Sequence, residues 1–153
     1  MNALAIALHG LAATVWVGGM FFAYVVLRPT MGLMEPHRRL NLWASVFKRF
    51  FPWIWMAVVL LLITGYWLVF SVFGGFSSSP VYVHLMHAIG LLMMLLFAYL
   101  YYRPYPVFKQ TVAVEDWLAA GAALNHIRRV VLVNLCLGLA LLVLVYSGRY
   151  GLF

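Results

Sequence analysis

The chain has 153 residues, with ten Lys or Arg and three Asp or Glu set against 67% apolar and 17% aromatic types. So few charges leave too little polar surface to coat a water-soluble globule, so the solvent for most of this chain is lipid. The net charge of +7 does not point to nucleic acid, because the basic residues sit beside apolar runs, where they set topology and meet anionic lipid.

The first uncharged run covers residues 1–27. It is too long for the apolar region of a signal peptide and no cleavage pattern follows it, so a retained membrane helix is predicted over 3–27. A basic segment with Arg28, Arg38, Arg39, Lys48 and Arg49 comes next, then a second apolar helix over 52–73. Gly74-Gly75 and Ser77-Ser78-Ser79-Pro80 make a short turn, so the second and third helices are antiparallel neighbours. The third helix is predicted over 82–102. Arg103, Lys109, Arg128 and Arg129 lie in the following segment, and the fourth helix is placed over 126–147, with its uncharged part from residue 130. A bilayer core of about 30 Å takes roughly 20 helical residues, which each run supplies. The fold class is therefore an all-α integral membrane protein, a single domain over 1–153 built as a four-helix transmembrane bundle.

Nine of the ten basic residues fall in the two segments that follow the first and third helices. The positive-inside rule then puts both segments in the cytoplasm and both termini outside, which is periplasmic for a bacterial inner membrane. The lone Cys136 excludes a disulfide framework and a thiolate cluster and reads as packing. An internal repeat is visible as well. His9 precedes Arg28-Pro29, and His84 precedes Arg103-Pro104, by the same nineteen residues. Two helical hairpins related by an approximate two-fold along the membrane normal account for this spacing.

Ionisable groups inside membrane spans are costly and are functional hypotheses by default. Here they are histidines. Nineteen residues of helix place His9 and His84 about 28 Å from the basic boundary, at one shared depth near the outer end. His87 lies one turn deeper than His84 on nearly the same face. Ala12, Ala13, Trp16 and Met20 share the face of His9, two small side chains above a large apolar floor. A flat macrocycle between two imidazoles suits such a pocket, so haem b is the preferred cofactor, with His9 and His84 as axial pair and His87 as substitute or proton-handling neighbour. Copper or zinc on His9, His84 and His87 is the alternative, with Met86 or Met20 adding a soft ligand for Cu(I). The bland reading is three interfacial histidines satisfied by headgroups, water or backbone. His37 and His126 sit beside charged residues, where solvent or lipid satisfies them. Arg38, Arg39, Arg128 and Arg129 read first as topology determinants and second as anionic-lipid contacts. Asn134 with Gly138, Gly18-Gly19 and Thr64-Gly65 read as close helix contacts.

The stretch Leu8-His9-Gly10-Leu11-Ala12-Ala13-Thr14-Val15-Trp16-Val17-Gly18-Gly19, followed by Leu27-Arg28-Pro29, resembles the first helix of copper-resistance D-type (CopD) membrane domains. Ile127-Arg128-Arg129 through Asn134-Leu135-Cys136-Leu137-Gly138-Leu139 is similar to the last helix of that family. The resemblance implies copper uptake or handling in the periplasm, with an oligomer or a partner for so small a bundle. The related HemJ-type protoporphyrinogen oxidases have a four-helix core, bind haem b and use a first-helix His, which His9 matches. They also use a Lys early in the third helix. The corresponding run here, Tyr82-Val83-His84-Leu85-Met86-His87, contains none, so the resemblance does not carry that oxidation over.

Two functions follow as expectations. One is a haem b redox protein, with or without oxidoreductase activity, passing single electrons between a quinone or small oxidant and an outer-face partner. The other is a copper-binding transport or tolerance protein at the periplasmic face. Either one has the lipid bilayer as its first partner, and either allows a homo-oligomer.

Overall fold

The computed structural model describes residues 1–149, and these are helical with short turns between. Helix α1 spans Asn2–Phe21 and continues through a π-helical turn at Phe22–Leu27 and one further turn at Arg28–Thr30. Helices α2 (Pro36–Val72), α3 (Val81–Tyr102), α4 (Pro104–Ala113) and α5 (Trp117–Arg149) follow. Four segments are long and apolar enough to cross a membrane.

Two helices reach further into the basic segments than hydropathy predicts. Helix α2 begins at Pro36, sixteen residues ahead of the expected start at Pro52. Pro36 occupies the first helical turn, where its missing N–H costs nothing. Leu40, Trp43, Phe47, Phe51 and Ile54 then recur every three or four residues and are all buried. The extension is thus an amphipathic helix, with Arg38, Lys48 and Arg49 exposed beside its packed face. Pro52 becomes an interior residue that leaves the carbonyl of Lys48 without its intrahelical donor. Likewise α5 begins at Trp117 instead of residue 126, because Asp116 Oδ1 accepts the N–H of Ala119 at 3.0 Å and an alanine-rich run follows. Between α3 and α5, Pro104 opens the short helix α4, whose Tyr105 and Phe108 are buried in the bundle.

The turn after α2 follows the expected Gly-Gly and Ser pattern. Gly74 and Gly75 have φ of 73° and 120°, which side chains other than glycine rarely adopt. Ser78 Oγ donates to the carbonyl of Phe73 at 2.6 Å and Ser79 Oγ to that of Gly75 at 2.8 Å.

Among the long helices, packing is most extensive between α1 and α2 and between α3 and α5, the two expected hairpin pairs. Gly138 on α5 marks a third close approach: a Cβ there would stand 2.9 Å from Val17 Cγ2 of α1. Asn134 Nδ2 donates to the carbonyl of Met93 at 3.2 Å and ties α5 to α3. Across the hairpins, α2 faces α3 mainly through large rings. Phe51 and Trp55 each meet Phe97 edge-on, with centroids 5.7 and 5.2 Å apart, and Trp55 meets Tyr101 at 5.5 Å. Bulky rings hold the two hairpins apart, and a cavity opens on either side of this layer. Trp16 lines both cavities.

Candidate metal centre

The cavity at the uncharged end of the bundle, about 110 Å³, takes residues from all four long helices. His9, Ala13, Trp16 and Val17 come from α1, Gly65 and Tyr66 from α2, Met86 and His87 from α3, and Gly138 from α5. The walls are otherwise aliphatic, with Leu61, Leu91 and Met94 among them.

His9 is the most firmly positioned group. Its Nδ1 lies 2.8 Å from Thr64 Oγ1. That hydroxyl spends its own proton on the carbonyl of Leu60 at 2.5 Å, one turn back on α2. Having donated, the Thr64 oxygen accepts, so His9 carries its proton on Nδ1 and keeps the Nε2 lone pair free. Neutral imidazole with one nitrogen held by a hydrogen bond and the other open is the form that ligates metals. Gly65 completes the arrangement, because a Cβ at that position would lie 3.3 Å from His9 Cε1. Thr64 and Gly65 are therefore more than the packing pair that their sequence pattern suggests. Only the contact partner across the bundle reveals this.

His87 sits on the opposite hairpin. Its ring meets Tyr66 edge-on at 5.2 Å and Phe76 at 5.0 Å. The Tyr66 hydroxyl is 3.4 Å from Nε2, a long contact that holds the ring weakly. His84 is placed differently. It is exposed, lies 6.0 Å from the Phe76 ring, and does not line the cavity. His87 therefore shares a cavity with His9, and His84, the expected axial partner, does not line it. The reason is angular: Val83, His87, Gly90 and Met94 follow the inward stripe of α3, and His84 falls about 60° to its side.

Three imidazoles do not converge. Among the described residues no group of three His, Cys, Asp or Glu side chains is close enough to hold a metal. The other side chains lining the cavity that carry a donor atom suited to a soft metal are the thioethers of Met86 and Met94, with the Tyr66 hydroxyl beside them. Met20, the other expected soft ligand, lines the second cavity instead. Ala13 and Trp16 line the cavity as expected, whereas Ala12 is buried but does not. Cys136 is exposed. His37 pairs with Glu35 at 3.5 Å, and His126 Nε2 lies 3.1 Å from the Tyr99 hydroxyl, so both have local partners away from this site.

The sequence model of the family described as copper resistance protein D matches residues 44–147, from within α2 to near the end of α5. The chain belongs to the copper resistance protein D family. Its matched region contains Thr64, Gly65, Met86 and His87, while His9 lies ahead of it. No curated protein and no solved structure matches the chain significantly. Family membership and four membrane-length helices make this a multi-pass membrane protein.

Proposed function

We propose that this member of the copper resistance protein D family handles copper, binding one Cu(I) ion through His9 Nε2, His87 and the Met86 thioether. One observation carries the reading. Two imidazoles from different hairpins, the first of them held by Thr64 with one nitrogen open, line a single apolar cavity beside a methionine. Imidazole and thioether together select a soft ion that accepts few ligands. An uncharged, water-poor site also suits a monovalent cation better than a divalent one, because no carboxylate is present to offset a second charge. His87 would exchange its weak contact with Tyr66 for the metal. On the positive-inside reading the site opens toward the periplasm of a bacterial inner membrane. Delivery to or from a periplasmic partner, or a second copy of this chain, then follows.

Haem b is the second reading. It is favoured by the aliphatic walls and by Gly90, where nothing stands within 4 Å of the place a Cβ would take. Ligation by His9 and His87 would leave iron no open position, which suits electron transfer with a quinone. The size of the cavity argues for the ion: about 110 Å³ takes a small ligand set, whereas sites for larger ligands span roughly 300–1,000 Å³. A macrocycle would require the hairpins to part.

The test is an oxidised-minus-reduced absorption spectrum with metal analysis on one purified sample. A colourless protein that takes up about one Cu(I) per chain supports the copper reading. Sharp α and β bands with a shifted Soret band and about one iron per chain would replace it with haem.

A further inference from the structure

The second cavity, at the basic end, has chemistry of its own. It is a groove whose walls are rings and aliphatic chains, including Phe47, Phe51, Ile54 and Leu100, with Arg28, Trp43 and Arg128 also lining it. Two donors facing this environment have nothing to bond. Trp43 is 3% exposed and its indole N–H is buried without a partner, and the Nε of Arg128 is equally buried and unpaired. Arg39 Nε, outside the groove lining, is likewise buried without a partner, and Arg28 and Arg39 both lie within Coulombic range of Arg128. Leaving such donors buried and unpaired is costly, the more so for a charged group.

No carboxylate of the described residues answers these cations. The ion pairs present join Glu35 to His37 and to Arg38, and Asp116 caps α5. What the arginines have instead are ring faces, Tyr24 beneath Arg28 at 4.8 Å and Trp43 beneath Arg128 at 5.7 Å. Those contacts orient the guanidinium groups without neutralising them. The π-helical turn at Phe22–Leu27 lies in the same wall, and such turns occur frequently at functional sites.

We propose that this groove binds an acidic phospholipid, its headgroup phosphate taken by Arg28, Arg128 and the Trp43 N–H and one acyl chain laid along the aromatic wall. The phosphate supplies the missing anion and the missing acceptors together. Arginine is suited to it by its planar set of donors. The aromatic wall distinguishes a lipid from a free oxyanion, since inorganic phosphate gains nothing from Phe47, Phe51 or Ile54. Such a lipid would bridge α1, α2 and α5 at the end opposite His9 and His87, so the proposal stands apart from the copper site.

The experiment is native mass spectrometry of the detergent-solubilised full chain, titrated with phosphatidylglycerol, with phosphatidylcholine of the same acyl length, and with inorganic phosphate as competitor. The expected result is one phosphatidylglycerol retained per chain, bound at least about tenfold more tightly than phosphatidylcholine and not displaced by millimolar phosphate. Arg128→Gln should weaken it about tenfold. Trp43→Phe, which keeps the ring and removes only the donor, should weaken it severalfold and covers the case in which Arg128→Gln does not fold. Arg103→Gln, at the same end but outside the groove, should change nothing. Equal loss from Arg103→Gln, equal retention of phosphatidylcholine, displacement by inorganic phosphate, or full binding by Trp43→Phe would each overturn the proposal.

Discussion

Gly65 and His9 touch across the interface of α1 and α2: a Cβ on Gly65 would stand 3.3 Å from His9 Cε1. A methyl at position 65 would press the imidazole back by a few tenths of an ångström, and a branched side chain would press it further. Gly65→Val is expected to push the ring off Thr64 and lower Cu(I) affinity about tenfold or more, in line with the 10–100-fold effect of disturbing groups that orient a metal ligand. A competition titration against a Cu(I) chelator measures it, with circular dichroism to show that the helices persist. Unchanged affinity would mean that the position of His9 is irrelevant to binding.

Thr64 offers a milder version of the same test. Thr64→Val keeps the shape and removes the oxygen that accepts from His9 Nδ1. Cu(I) affinity should fall about tenfold, while Thr64→Ser should retain most of it. Equal loss in both variants would assign the effect to packing instead of the hydrogen bond.

The two histidines of α3 separate cleanly. His87 lines the cavity and His84 does not. His87→Ala should remove most Cu(I) binding and His84→Ala should leave it within about twofold, well under the 10–100-fold effect of disturbing a metal ligand's orientation. The reverse order would restore the pairing suggested by the nineteen-residue repeat and contradict the site described here.

Stability should respond at the close approach of α5 to α1. Gly138→Val would place new atoms against Val17 Cγ2 and the Met93 terminal methyl, at 2.9 and 3.1 Å for the Cβ alone. Overpacking of this kind costs about 1–3 kcal/mol. Asn134→Ala, one turn away, should cost less, about 0.6 kcal/mol, the usual worth of a hydrogen bond between membrane helices. Thermal unfolding in detergent checks the order, and a larger effect from Asn134→Ala would show that the hydrogen bond matters more than the contact.

The sequence made the four spans legible because lipid tolerates no charge along roughly 20 residues, and the charge-free runs are unambiguous. Helix ends were less so. Arg38, Arg39, Lys48 and Arg49 interrupt the hydropathy of α2 but not its periodicity, and Leu40, Trp43, Phe47 and Phe51 continue one buried stripe through them. Asp116 was readable as a cap only once α5 was known to begin beside it. His9 stood out as an ionisable group inside a span. The choice between His84 and His87 did not, because the two differ by about 60° around one helix and the seam of α3 is fixed by partners far away in sequence. The contact of Thr64 with His9 spans fifty-five positions, and the unpaired Trp43 and Arg128 donors emerge only when the bundle closes.

The measurement that bears most directly on the copper site is copper K-edge X-ray absorption on the purified full chain loaded with one equivalent of Cu(I). The account predicts two nitrogen scatterers with imidazole multiple scattering and one sulfur, the imidazole signal falling by half in His87→Ala and unchanged in His84→Ala. A copper shell made only of sulfur or of solvent oxygen, or a signal indifferent to His87→Ala, would contradict the claim that His9 and His87 share one metal ion.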